Sequence, residues 1–198
     1  MSTVYPRQLP PTPIDRREIL RYMGCKSSTP EIEGLIDRSL TLCEGVLGYS
    51  VCYAEYAIRI EGDVCHLGLC TVESRDLARR LSGCQKILVL AATVGLGLDR
   101  LILRYGKREP SVSVCLQAIG TERIEALCDT FCEQMAGEYA LLGHSLRTRF
   151  SAGYGDLPLS VQKDIFRALC CERHIGLTLS DSLMMSPTKS VTAIIGIE

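Results

Sequence analysis

Apolar and polar positions along the chain switch between a helical period and a period of two, and the switches mark out its elements. Residues 1–13 follow neither period and carry Pro6, Pro10, Pro11 and Pro13, which predicts an extended N-terminal arm ahead of a single domain over 14–198. Asp15 stands at a capping position before Arg16 to Met23, and Gly24 stops that run, so a short helix is expected. Thr29 followed by Pro30 starts a second helix, in which Ile32, Leu35, Ile36, Leu40 and Val46 recur at helical spacing until Gly48. From Tyr49 to Ile60 and from Val64 to Val72 the period drops to two, with Glu61-Gly62-Asp63 between them, which predicts a β-hairpin. Ser74 then caps a short helix through Leu81, and Gln85 to Thr93 is apolar throughout, as a strand covered on both faces would be. A helix over Leu96 to Arg104 follows.

The longest helical pattern runs from Ser111 to Leu142, with Val114, Ile119, Ile124, Leu127, Phe131 and Met135 drifting round one face. A break near Gly120 is expected. After a turn, Leu159 to Leu169 predicts another helix with Ser160 at its cap. Two strand-like pieces close the chain, Gly176 to Ser182 and Ser190 to Ile197, with Met184 and Met185 in the connection read as filler for the core. Strands near both ends with helices between them indicate an α+β fold around a mostly antiparallel sheet.

Composition narrows the function classes. The net charge is −1, and the 22 basic and 23 acidic side chains are spread without blocks, so neither nucleic acid nor an anionic membrane surface is an expected partner. The apolar run from Ile87 to Leu98 is interrupted by Gly95 and Gly97 and is too short to span a bilayer. No secretory signal is evident at the N-terminus, and eleven cysteines make an odd count, so a reducing cytoplasm is the expected compartment. Cys128 and Cys132 lie one helical turn apart, but no paired motif or nearby histidine completes a metal site, and the cysteines read as packing groups. His66, His144 and His174 are far apart and adjoin no nucleophile motif, so hydrolase chemistry has no support. Gly95-Leu96-Gly97 lacks the third glycine of a dinucleotide loop and reads as helix capping or packing.

One stretch carries candidate chemistry. In the turn from Arg149 to Pro158, Arg149 supplies a planar fork of donors that matches a carboxylate, Gly153 and Gly155 admit close approach to the backbone, and Tyr154 adds a flat face. The combination suits a small zwitterion; the alternative is an ordinary helix-entry loop with a surface arginine.

Arg149, Gly153, Tyr154 and Pro158, the helix after them, Ile175 to Ser182, and Met184-Met185 followed by Pro187, Ser190 and Val191 together resemble the C-terminal activation domain of cobalamin-dependent methionine synthase. Ile14-Asp15 and the short helix ending at Gly24 resemble the start of that domain. The resemblance implies a domain that binds S-adenosylmethionine and presents its methyl group to the cobalt of a separate cobalamin module, once a flavodoxin-type donor has reduced it. It also implies that Arg149 meets the ligand's carboxylate, that Asp15 meets its ammonium or serves as a helix cap, and that Ser151, Gly153 and Tyr154 form the ligand turn. Glu122 and Glu125 both fall where the family places an acidic contact, and spacing does not choose between them.

The chain departs from the family at Gly155-Asp156-Leu157 and stops at Glu198, before the family's pair of tyrosines and terminal helix. With no room for substrate modules, the expectation is a stand-alone accessory subunit rather than a complete enzyme. It would act on a cobalamin-dependent methionine synthase lacking its own activation domain, with cobalamin carried by that partner and a flavodoxin-type protein as electron donor. The alternatives are a non-enzymatic structural or regulatory partner of a corrinoid protein that has lost ligand binding, and reactivation of another corrinoid methyltransferase.

Overall fold

The computed structural model describes residues 2–198. In chain order its elements are β1 (Tyr5–Gln8), α1 (Arg16–Tyr22), α2 (Pro30–Cys43), β2 (Ser50–Ala57), β3 (Arg59–Glu61), β4 (Val64–His66), β5 (Thr71–Glu73), α3 (Arg75–Arg80) and β6 (Lys86–Thr93). They continue as α4 (Leu96–Gly106), α5 (Pro110–Ala140), α6 (Val161–Leu169), α7 (Cys171–Ile175), β7 (Thr178–Leu179), β8 (Met185–Ser186) and β9 (Ser190–Ile197). Among the described residues no helix is long and apolar enough to cross a membrane.

The fold is α+β, built on an antiparallel four-stranded sheet in the order β1-β2-β6-β9. Successive side chains of a strand point to opposite faces, and helices cover both faces here. On β6, Leu88, Leu90 and Ala92 join a core under α1, α2, α4 and α5, while Ile87, Val89 and Ala91 join a second core under α3, α6 and α7. That double cover, not parallel pairing, is why β6 reads as one apolar run. Local signals at the helix starts are realised: Asp15 accepts from the amides of Arg17 and Glu18, Thr29 from Ile32, and Ser74 from Leu77. Gly97 confirms its packing role, since a Cβ there would lie 2.6 Å from Val46 Cγ1.

Several expectations need correction. Part of the N-terminal arm, Tyr5–Gln8, is the edge strand of the sheet, paired with β2 from Tyr5 and Tyr53 to Gln8 and Ser50. The strand expected over Tyr49 to Ile60 divides: β2 stays in the main sheet, and β3 turns away to form the hairpin with β4. The closing strands do not pair with each other. β7 pairs with β8, while β9 lies along β6 from Ser190 and Thr93 to Ile197 and Lys86.

α5 is continuous through Gly120, a length of about 46 Å at 1.5 Å per residue. The glycine serves close approach, because a Cβ there would overlap Leu98 and come within 2.9 Å of Lys189 Cγ. Ser160 occupies the cap position of α6 without capping through its side chain. Met184 is exposed rather than core filler, and Cys170 is exposed too.

Candidate functional site

The turn after Arg149 lies at the free edge of β9. Phe150 exchanges both backbone hydrogen bonds with Ile194, at 2.9 and 2.8 Å, so the segment leading to the turn extends the sheet. At Gly153, with φ of +90°, the chain leaves that edge and is held by the Gly153 amide on the Leu157 carbonyl at 2.9 Å. Asp156 anchors the far side of the turn. Its carboxylate accepts from the Ser74 hydroxyl at 2.5 Å and from the amides of Arg75 and Asp76 at 2.9 and 3.2 Å, at the start of α3. These bonds, led by that from Ser74, hold the Asp156 carboxyl below the usual aspartate range. Gly155 makes the docking possible, because a Cβ there would overlap the Asp76 carboxylate.

Two clefts meet at Arg149. One, of about 460 Å³, is lined by Arg80, Arg149, Phe150, Ser151, Tyr154 and Gln162, with Thr192 of β9 below them. The other, of about 350 Å³, is lined by Asp15, Glu18, Glu122, Glu125, Asp129 and Glu133. Glu125 belongs to both. Arg149 Nη2 donates to Glu125 Oε2 at 2.7 Å and to Asp129 Oδ1 at 2.8 Å, which fixes the guanidinium at the boundary and commits neither Nε nor Nη1. A cation with aromatic neighbours thus adjoins a strongly acidic groove. Arg80 stacks 4.6 Å over the Phe150 ring, and Tyr154, at 67% exposure, is free to cover a ligand rather than packed beneath the turn.

The two acids left open by spacing have different surroundings. Glu125 is the partner of Arg149. Glu122 is buried and holds the N-terminal segment: it accepts from the Asp15 amide at 3.1 Å and from Arg123 Nε at 2.5 Å. The fully buried Arg123 in turn donates to the carbonyls of Thr12 and Pro13 at 2.6 and 2.8 Å. Asp15 caps α1 and also lines the acidic cleft. Cys128, deep in α5, has its thiol pushed up to about 12 by burial, which keeps it protonated among its apolar neighbours at neutral pH.

Sequence reasoning passed over Arg80, Asp129, Gln162 and Thr192. A signal existed for two of them. Gln162 heads the stripe it forms with Ile165 and Leu169 on the buried side of α6, and Thr192 shares a strand face with Ile194; a polar residue on an apolar face is the informative case.

No protein-family model matches the chain, and no curated protein sequence does. Among solved structures it is similar to a crystal structure of the MetH reactivation domain bound to AdoHcy, with a TM-score of 0.71 and 15% sequence identity over 98% of this chain and 78% of that one. The fold is that of the MetH reactivation domain. At this identity the likeness concerns the architecture, and the chemistry rests on the side chains described above.

Proposed function

We propose that this chain is a cytoplasmic S-adenosylmethionine-binding reactivation subunit, supporting reductive methylation of cobalamin on a separate methionine synthase that lacks this domain. The observation that carries the reading is Arg149, held at the junction of a cleft with aromatic walls and an acidic groove, in the fold of a domain solved with AdoHcy bound. The donor set fits the ligand. Nε and Nη1 of Arg149 suit the carboxylate, Asp15 and Glu125 suit the ammonium and the positive sulfonium, and Tyr154 and Phe150 offer flat surfaces to the base.

The protein's share of the reaction is to position the ligand with its methyl group outward and to keep water from the reacting face. No general acid or base is required of it, because the S–CH3 bond of the sulfonium breaks to release a neutral thioether and the nucleophile belongs to the partner. A flavodoxin-type protein is the proposed electron donor.

Calorimetric titration with S-adenosylmethionine tests the binding step: the intact protein binds, and Arg149→Ala weakens binding about 10- to 100-fold, the range of a lost charge-assisted hydrogen-bond pair. Absence of binding by the intact protein overturns the reading. Reactivation is tested by adding the chain to inactive methionine synthase without its own activation domain, with a reductant. Methionine formation should return only when both the chain and S-adenosylmethionine are present.

A second reading, a binding module that has lost the ligand, is favoured by one observation: Arg149 already has two carboxylate partners within the chain. It predicts association with a corrinoid protein that does not change when S-adenosylmethionine is added.

A further inference from the structure

Four buried side-chain polar atoms among the described residues have no hydrogen-bond partner, and two of them, one on Gln162 and one on Thr192, belong to residues of the same cleft. Gln162 Oε1 and Thr192 Oγ1 are without one, although their residues are only 6% and 2% exposed, and both side chains line the cleft beside Arg149. They come from two different elements, α6 and β9. Their neighbours on the same strand face are accounted for: the Ser190 hydroxyl bonds Thr93 Oγ1 at 2.8 Å and the Pro187 carbonyl at 2.7 Å, and Ile194 is paired with Phe150 through its backbone. Burying a polar group with no partner is costly, so two on residues of one cleft point to an occupant that completes them.

The backbone adds a further recognition element. Ile194 turns its amide and carbonyl to the outer edge of β9 to meet Phe150, so by the alternation of an antiparallel ladder Thr192 presents its own peptide groups to that edge. Opposite Thr192 the chain has already begun to turn away towards Gly153, and among the described residues no backbone hydrogen bond joins Ala152 to Thr192.

We infer that Gln162 and Thr192 read the hydrogen-bonding edge of the ligand's purine, making this pair the base-selecting element of the Arg149 cleft. This rests on the proposal that the cleft takes an S-adenosyl ligand. A glutamine amide carries an acceptor beside a donor, the complement of adenine's exocyclic amino group beside a ring nitrogen. The threonine hydroxyl can both donate and accept, so it can satisfy the next polar atom of the ring. A purine that lacks this amino group leaves the glutamine oxygen unpaired whichever way the amide is turned. A site completed by hydrogen bonds discriminates strongly against a ligand that leaves its buried groups unpaired.

The test compares binding of AdoHcy with that of its counterpart lacking the 6-amino group of the purine, which has the same amino-acid portion and charge, to the intact protein and to Gln162→Leu, Thr192→Val and Arg149→Ala. The intact protein is expected to prefer AdoHcy by roughly 100-fold, and Gln162→Leu to reduce that preference to within a few-fold. Thr192→Val, nearly the same shape, lowers AdoHcy affinity about tenfold, whereas Thr192→Ser, which keeps the hydroxyl, stays near the intact protein. Arg149→Ala weakens both ligands by the same factor and leaves the preference standing. Melting of the ligand-free proteins supplies a second readout: Gln162→Leu and Thr192→Val melt at or above the intact protein, since each removes a buried polar group without a partner. If the intact protein binds AdoHcy but the two variants match it in affinity and preference, the base-reading assignment is overturned while the S-adenosyl reading stands. A clear loss of ligand-free melting temperature in both variants also overturns it, by marking the pair as structural. Failure of the intact protein to bind AdoHcy overturns the S-adenosyl reading and this inference with it.

Discussion

Glu122 and Glu125 stand one turn apart on the same helix and serve different ends. Glu122 neutralises a guanidinium that is wholly buried, so its removal leaves Arg123 as an uncompensated interior charge. Glu122→Ala should therefore destabilise the protein by about 3 kcal/mol, the cost of breaking a buried pair, seen in calorimetry as a fall of roughly 6–12 °C in melting temperature. Asp156 is anchored differently, at the protein surface. Asp156→Ala releases the turn from the start of α3, and the expected result is weaker S-adenosylmethionine binding with only a small change in melting temperature, measured by titration and thermal melting on the same sample. Spacing alone could not separate Glu122 from Glu125, because the difference lies in Arg123 and the Thr12 and Pro13 carbonyls, which meet only in the folded chain.

At the scale of elements, the contrast within α5 between Gly120 and Gly137 is informative. Nothing lies within 4 Å of a Cβ built at Gly137, while one at Gly120 meets Leu98 and Lys189. Gly137→Ala should stabilise the protein by up to about 1 kcal/mol through helix propensity, and Gly120→Ala should destabilise it by about 1–2 kcal/mol through overpacking. Urea denaturation with an unchanged slope checks both. Gly120 read as a helix break because a lone sequence shows that a side chain is missing and not what occupies its place. Helix starts were legible for the converse reason: Asp15, Thr29 and Ser74 each bond amides two or three residues ahead. The partner of β9 was not legible, since β6 lies far away in the chain and pairing is decided by which faces can be covered.

For the whole molecule, the fold class and the turn after Arg149 were readable, the first from the distribution of strands and helices and the second from a motif of fixed spacing. The cleft was readable only in part, because Gln162 and Thr192 belong to different elements and sit within patterns that otherwise indicate core. Acid should loosen the molecule at two surface clasps. The hydrogen bond from Arg7 lowers the Glu138 carboxyl, and that from Ser74 leads the lowering of Asp156. A carboxyl lowered in the folded state lends stability that is fully present above its unfolded value and lost as pH falls through its folded value. Urea midpoints should therefore be flat near neutrality and fall below the ordinary carboxylate range, less steeply for Glu138→Gln and Asp156→Asn than for the unaltered chain. Saturating ligand acts in the opposite direction: at 100 times its dissociation constant, S-adenosylmethionine should add about 2.7 kcal/mol and raise the melting temperature by roughly 5–10 °C.

The edge strand β1 has a consequence for colloidal behaviour. The Leu9 amide bonds the Tyr49 carbonyl, and alternation back along the strand turns Arg7 and Tyr5 towards β2 and the nitrogen of Pro6 outwards. The open side of the sheet thus presents a proline ring where a second chain would need an N–H, which blunts strand-to-strand recruitment. Pro6→Thr restores that donor, and light scattering at high concentration should show self-association that the original chain resists.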